Sequence, residues 1–316
     1  MKHIKILFLT LMVTLATMAW ANGEADKENI SSQSPKIIVP TGATLASVAL
    51  YDGPEAEIEV IKSADLLASR IISGEADFAV IPSNLAAILS AKGADVRMAG
   101  PVIWGLLYVV VPGEEEGWNA LKGQDVSMIG RGLSPDILLR HLATENGLIP
   151  GEDFTLNYVT SATELAPAFI AGKSGASMMP EPMLTAVMSK KPQTTVALDL
   201  QEEWTKLYGF SYPQASLVVS SRFAEDHPET TQEVVAAISE ALEQANARPQ
   251  DAGAAIASLA PELNANLMSQ AIPRVNLRFV PAAQAREALD AYYQVLFDFD
   301  AKTVGGSLPN DAFYLP

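Results

Sequence analysis

The sequence predicts an α/β protein of two lobes, each a small, mostly parallel sheet flanked by helices. Three observations carry this reading. From Lys36 onward short apolar runs alternate with helical stretches, the pattern of strands crossed over by helices. Several short words of the first half return in the second half in the same order. Each returning word sits at a junction of strand and helix marked by glycine, serine or proline.

The repeat is clearest at an offset of 98 residues. Ser63-Ala64-Asp65-Leu66-Leu67-Ala68 is echoed by Ser161-Ala162-Thr163-Glu164-Leu165-Ala166, and Ile72-Ser73-Gly74 by Ile170-Ala171-Gly172. Phe78-Ala79-Val80-Ile81-Pro82 is echoed by Ala176-Ser177-Met178-Met179-Pro180, each followed by a helical run ending near Lys92 and Lys190. Upstream, Ile37 to Thr44 matches Ser127 to Ser134 at an offset of 90, so the segment between differs in length. Each half then reads strand, glycine turn, helix, strand, helix after Ser-Ala, strand, proline turn, helix. Right-handed crossovers turn that order into a parallel sheet.

The remaining elements follow in order. Trp104 to Val111 is an apolar strand and the passage into lobe two; Ala215 to Ser220, after Gly209 to Pro213, is the passage back. Glu229 to Asn246 reads as a long amphipathic helix, with a shorter one near Ala252 to Leu259 and an extended stretch from Ile272 to Val280. Ala282 to Phe297 is helical, with Leu289, Tyr292, Tyr293 and Leu296 on its apolar side. These C-terminal pieces are expected on lobe one, giving lobe one residues 36–108 and 214–316 and lobe two residues 109–213.

The first 21 residues read as a cleaved export signal. Lys2 and Lys5 precede an apolar run from Ile6 to Ala16, and Ala19-Trp20-Ala21 supplies small residues where a signal peptidase reads. The run is short of the ~20 apolar residues of a membrane span. Residues 22–35 read as a disordered leader. With no cysteine in the chain, lipid attachment at the cleavage site and disulfides are both excluded, so a free periplasmic monomer is expected. Cleavage would remove two lysines and take the net charge from −16 to −18, a surface that nucleic acid and anionic membrane repel.

In parallel sheets ligands bind outside the carboxyl ends of the strands. Those ends are Pro40 to Thr44 with Pro82 to Asn84, and Gly130 to Ser134 with Pro180 to Pro182. Thr41, Gly42 and Thr44 mark a helix start able to face a polar or negative group, or a plain N-cap by either threonine. Ser83 and Asn84 open a second helix, where one of them caps it, and Asn84 can both donate and accept. Arg131, Gly132 and Ser134 are the counterpart in lobe two: Ser134 as cap, Pro135 first in the helix, Asp136 offsetting the dipole from within, and Arg131 reaching a ligand acid or remaining solvated or ion-paired. Glu181 lies between two prolines, placed to receive an amine or ring N–H, to cap its helix, or to pair with Arg131. Trp104 and Tyr212 lie at the crossovers, to stack on a guest or pack in the core.

Several words now converge on a known group. Asp77 to Ala86, Gly105 to Val110, Gly130 to Gly147, Met179-Pro180-Glu181-Pro182, Ala271 to Arg274 and Gly305 to Asp311 together resemble the periplasmic binding proteins of nitrate/sulfonate/taurine ABC transporters, a family that includes pyrimidine-precursor binding proteins. The resemblance runs from about Lys36 to Pro316. It implies the type II periplasmic-binding-protein fold, hinged closure on a small ligand, and delivery to a membrane permease with its ATPase. Neutral donors in lobe one, with an acid and a base in lobe two, suggest a sulfonate-like, zwitterionic or heterocyclic ligand. An enzyme of the same fold, in thiamine-precursor or menaquinone synthesis, is the alternative, and a sensory module the third. Against an enzyme, His141 and His227 are isolated, and Gly172-Lys173-Ser174 mimics a phosphate loop with Pro167 where glycine is needed. No cofactor or metal is expected.

Overall fold

The computed structural model describes residues 34–160 and 162–316. The export-type segment, nearly all of the leader and the expected cap Ser161 lie outside the described residues.

Ten strands form two five-stranded sheets of the same design. In the first sheet, β1 (Lys36–Pro40) pairs in parallel with β2 (Glu57–Ile61) and β3 (Phe78–Pro82). In the second, β6 (Asp125–Met128) pairs in parallel with β7 (Thr155–Tyr158) and β8 (Ala176–Pro180). The fourth strand of each half, β4 (Arg97–Ile103) or β9 (Thr195–Asp199), is held beyond an antiparallel strand that comes from across the molecule. β10 (Ala215–Val219) lies between β3 and β4, and β5 (Leu107–Val111) between β8 and β9. The offset of 98 residues thus continues through the fourth strands, from Arg97 to Thr195.

Helices follow the strands as the repeat requires. The first half carries α1 (Ala64–Ile72), whose start is capped by Ser63 accepting from the Leu66 amide, and α2 (Ser83–Ala91). The second carries α3 (Ser134–Glu145), α4 (Ala162–Ile170) and α5 (Met183–Lys190), followed by α6 (Leu200–Tyr208). After β10 come α7 (Ser221–Asp226), α8 (Pro228–Ala247), α9 (Pro249–Leu259), α10 (Ala265–Ala271) and α11 (Arg286–Phe299). On α11, Leu289, Tyr292, Tyr293 and Leu296 are all fully buried, as the helical period demands.

The structure corrects three expectations of local form. After β1 the chain makes a 3-10 turn at Ala43–Ser47 rather than an α-helix, so the dipole available at Gly42 is that of a single turn. The apolar run from Trp104 to Val111 is not one strand: Trp104 to Leu106 leave both sheets, and the strand begins at Leu107. Ile272 to Val280 opens with a 3-10 turn at Ile272–Arg274 and then runs beside β4 without forming a regular strand, joined by a Leu277–Ile103 bridge and by the Arg278 and Val280 amides donating to the Val102 and Pro101 carbonyls.

The apolar core is shared between the sheets more than two separate lobes would suggest. One cluster runs from Ile38, Ile81 and Met98 of the first sheet to Val109, Val126 and Met178 of the second, joined by Trp104, Trp204, Tyr212 and Tyr292. α11 packs on α3, and α10 on α5, so the C-terminal pieces touch both sheets' helices.

His141 on α3 sits between α3 and α6, its Nε2 2.8 Å from the Tyr208 hydroxyl and its ring facing Trp204. Burial lowers its pKa below the ordinary value, with Glu145 opposing. The unfolded chain therefore takes up this proton first, from about pH 6.5 downward. Its share of stability is complete above that pH and is lost as pH falls toward the folded-state pKa. Thermal melts from pH 8 to 5 should show this loss, and His141→Gln should flatten the decline; an unchanged decline would assign the effect to other groups.

Candidate functional site

Register places the carboxyl ends of both sheets at one gap. β4 runs parallel to β1 and β3, since β10 is antiparallel to both β3 and β4, so Ile103 lies on the same edge as Pro40 and Pro82. Four peptide steps later Leu107 pairs with Pro180, and Tyr108 with Asp199, which are the carboxyl ends of β8 and β9. Those steps span at most about 14 Å. The return passage from α6 to β10 closes the same gap, because Ala215 pairs with Pro82 and Ile103.

A polar set lies buried beside the first crossover. Gly105, at φ +100°, is packed so closely that a Cβ there would meet the Gln201 carbonyl oxygen at 1.9 Å and the Tyr212 ring at 3.0 Å. Trp204 and Tyr212 meet edge to face at 5.7 Å, and the near-parallel rings of Tyr212 and Tyr292 lie 6.2 Å apart. Around them Gln201 Oε1 and Nε2, Trp204 Nε1, Tyr212 OH and Tyr292 OH, and on the return passage Gln214 Oε1, are buried without a hydrogen-bond partner among the described residues. Burial holds the Tyr212 phenol well above its ordinary pKa and pushes Tyr292 up to about 12; the Leu106 amide moderates the first and the Ser134 hydroxyl the second, neither reaching hydrogen-bonding geometry. These groups can hold a polar guest but do not exchange protons near neutral pH. Among the described residues no cluster of histidine and acidic side chains is placed to hold a metal ion.

On the opposite face of β5 a second connection ties the halves together. Glu181, fully buried, accepts from Arg274 Nε at 2.5 Å and from Thr185 Oγ1 at 2.9 Å, and its other oxygen accepts from the Thr185 amide. The Tyr108 hydroxyl donates to the Arg274 carbonyl at 2.7 Å. The chain beyond lies along the crossover as a strap: Asn276 Nδ2 donates to the Gly105 carbonyl, and Trp104 Nε1 to the Arg278 carbonyl.

The expected site residues divide between these places. Tyr212 is in the polar set, with Ser134 at its border. Glu181 caps α5 and pairs with Arg274 rather than with Arg131. Arg131 is exposed with its guanidinium 4.9 Å over the Tyr158 ring. Gly132 spends its amide on Asp136, a buried carboxylate that also binds Arg140 and Tyr158. Ser134 is the first helical residue and makes no cap, Leu133 standing in the cap position; Asp136 closes the turn instead. Neither Ser83 nor Asn84 caps α2, which begins after Pro82. Ser83 is buried against Ser216, hydroxyl to hydroxyl at 2.7 Å, while Asn84 is half-buried and reaches the Thr303 carbonyl at 3.4 Å. Neither threonine caps the turn after β1: Thr41 is exposed at the gap edge, Thr44 donates to the Pro40 carbonyl, and Gly42 holds the cap position at φ +118°. Trp104 is buried with Arg278 over its ring. As site residues the sequence reading missed Gln201, Trp204, Gln214, Tyr292 and Arg274; only Gln201, Trp204 and Gln214 lie near a crossover in sequence, and Tyr292 and Arg274 carried no such signal.

Comparison with known proteins agrees with this geometry. A family model described as NMT1/THI5 like matches residues 55–252, more than half of the chain. No curated protein matches by sequence. An ABC transporter structure from Parabacteroides distasonis is 25% identical, with a TM-score of 0.78 over 90% of this chain and 99% of that one. The periplasmic aliphatic sulphonate binding protein SsuA from Escherichia coli is 18% identical, with a TM-score of 0.69 over 89% and 91%. The periplasmic nitrate-binding protein NrtA from Synechocystis PCC 6803 is 15% identical, with a TM-score of 0.54 over 74% and 68%.

Arg274→Met leaves the Glu181 carboxylate buried without its counter-charge. It should cost about 3 kcal/mol in urea unfolding, and adding Glu181→Gln should recover part of the loss. Equal stability of the single variant and the parent would show that the pair carries no weight between the halves.

Proposed function

Because the chain belongs to the NMT1/THI5-like family, we propose that it is a solute-binding protein which closes on a small polar molecule between its two sheets and delivers it to an ABC permease. The observation that carries this reading is the register: two sheets of one design bring their strand ends to a shared gap, joined by short crossovers about which they can rotate. The polar set at the crossover supports capture rather than chemistry, being composed of amides, phenols and an indole. Solved structures of this fold include an ABC transporter protein and a periplasmic aliphatic sulphonate binding protein, which supports the same role.

The finer expectations belong to this proposal. The Lys2–Ala21 pattern supports export to the periplasm, and the acidic surface supports a free rather than membrane-bound monomer. Thr41, Gly42, Thr44, Asn84, Arg131 and Ser134 line the strand ends where a guest would enter, with Tyr212 at the inner end. Exposed Arg131, held over Tyr158, supports an acid group on the outer part of the ligand.

A thermal-shift panel of sulfonates, amino acids and neutral heterocycles tests the proposal. A true ligand at 100 times its dissociation constant stabilises by about 2.7 kcal/mol. Small-angle scattering should show the same solute compacting the protein. No shift and no compaction with any member, or turnover of a hit, would contradict it.

A further inference from the structure

Resting on the solute-binding reading, we propose that the buried set around Gly105 is the inner end of the ligand site and that it takes an uncharged amide-like group presenting N–H and C=O side by side. Four of its residues, Gln201, Trp204, Tyr212 and Tyr292, are more than nine-tenths buried; Gln201 and Trp204 have polar atoms with no partner among the described residues, and the phenols of Tyr212 and Tyr292 have only the Leu106 amide and the Ser134 hydroxyl nearby, outside hydrogen-bonding geometry. Such atoms are rare in folded proteins and costly where they occur, so a cluster of them marks a place where something polar is received.

The chemistry of the set selects the guest. It contains donors at Gln201 Nε2 and Trp204 Nε1, hydroxyls of either sense at Tyr212 and Tyr292, and carbonyl acceptors at Gln201 Oε1 and Gln214 Oε1. No side chain in it is charged. The nearest acid is Asp199, whose Oδ1 already accepts from the Gln201 and Glu202 amides and whose pKa is raised by burial. A sulfonate or nitrate only accepts hydrogen bonds, so it would leave both glutamine carbonyls unsatisfied and bury a full charge with no counter-charge. An ammonium would strand the indole and the amide donors in the same way. A cis-amide edge, as in a lactam, answers a carboxamide with one donor and one acceptor, and the phenols and indole absorb its remaining lone pairs.

Gly105 makes room for this side chain: the Gln201 side-chain oxygen lies where a Cβ would be, so glycine lets the carboxamide approach the crossover backbone.

Calorimetry with four probes tests the proposal: 2-pyrrolidone and pyroglutamate, which carry a lactam, and cyclopentanecarboxylate and ethanesulfonate, which do not. Pyroglutamate should bind at least tenfold more tightly than cyclopentanecarboxylate, which has the same ring size and acid, and 2-pyrrolidone should bind measurably without any acid. Gln201→Met should weaken pyroglutamate about tenfold or more while raising the melting temperature of the unliganded protein, because it removes two unpartnered polar atoms at nearly constant volume. Tyr292→Phe, which deletes only a hydroxyl, should weaken the same probe with the fold intact. Lactams that bind no better than their matched probes, or a Gln201→Met protein with unchanged affinity or a lowered melting temperature, would overturn the proposal and assign the set to ordered water. If ethanesulfonate instead binds and compacts the protein in scattering, this inference fails while the solute-binding reading stands; if no solute compacts it, the solute-binding reading fails.

Discussion

The structure depends on a reciprocal exchange of one strand. Each sheet is completed by an antiparallel strand that arrives from the other sheet's side, β10 in the first and β5 in the second. Neither fourth strand, β4 or β9, pairs with the parallel strands of its own half; each joins its sheet through the exchanged strand. The sheets are therefore coupled in folding, and their strand ends are fixed close together near the crossovers. The outer strands β2 and β7 lie farthest from that pivot. On the proposed closure, rotation about Trp104 to Leu106 and the return passage would move the outer edges most and the inner polar set least.

Around the pivot, stabilising and functional demands pull against each other. The strap from Arg274 to Arg278, the Glu181–Arg274 ion pair and the aromatic cluster of Trp204, Tyr212 and Tyr292 bind the halves together. Counting Gln201 and Gln214 with that cluster, six buried polar atoms have no partner among the described residues, and each such atom costs on the order of 1–3 kcal/mol when it replaces a hydrated one. A core built only for stability would place apolar side chains there. Retaining amides and phenols beside a crossover is what a molecule that must release and recapture something would do.

Much of the architecture was legible because the chain is written twice. The offset of 98 residues located equivalent strands and helices, and the marker words Ser63-Ala64 and Phe78 to Pro82 fell at true element boundaries. The exchange itself was not legible, because β5 and β10 are short apolar runs whose partners depend on pairing far along the chain. Local chemistry misled where a nearby group served better. Ser134 is a good cap by type, yet Asp136 closes that turn with a stronger, charge-assisted bond. Ser83 found Ser216 across the exchanged strand, a contact 133 residues away in sequence. By sequence Glu181 is placed to receive a ligand amine or ring N–H, to cap its helix or to pair with Arg131; in the fold it caps the helix, and its cation comes from Arg274 on the C-terminal strap. Gln201 and Gln214 carry no motif at all, and only the fold brings Gln201 to Gly105.

The hinge account is tested most directly by a distance between the outer edges. Lys62 follows β2 and Thr160 follows β7, 98 residues apart, both exposed and both far from the crossovers. The chain has no cysteine, so a Lys62→Cys, Thr160→Cys protein takes two spin labels at known places. Pulsed electron resonance with and without the solute that gives the largest thermal shift should show the label distance shortening by several ångströms and its distribution narrowing on binding. A distribution identical in both states, with the solute demonstrably bound, would contradict closure about these crossovers.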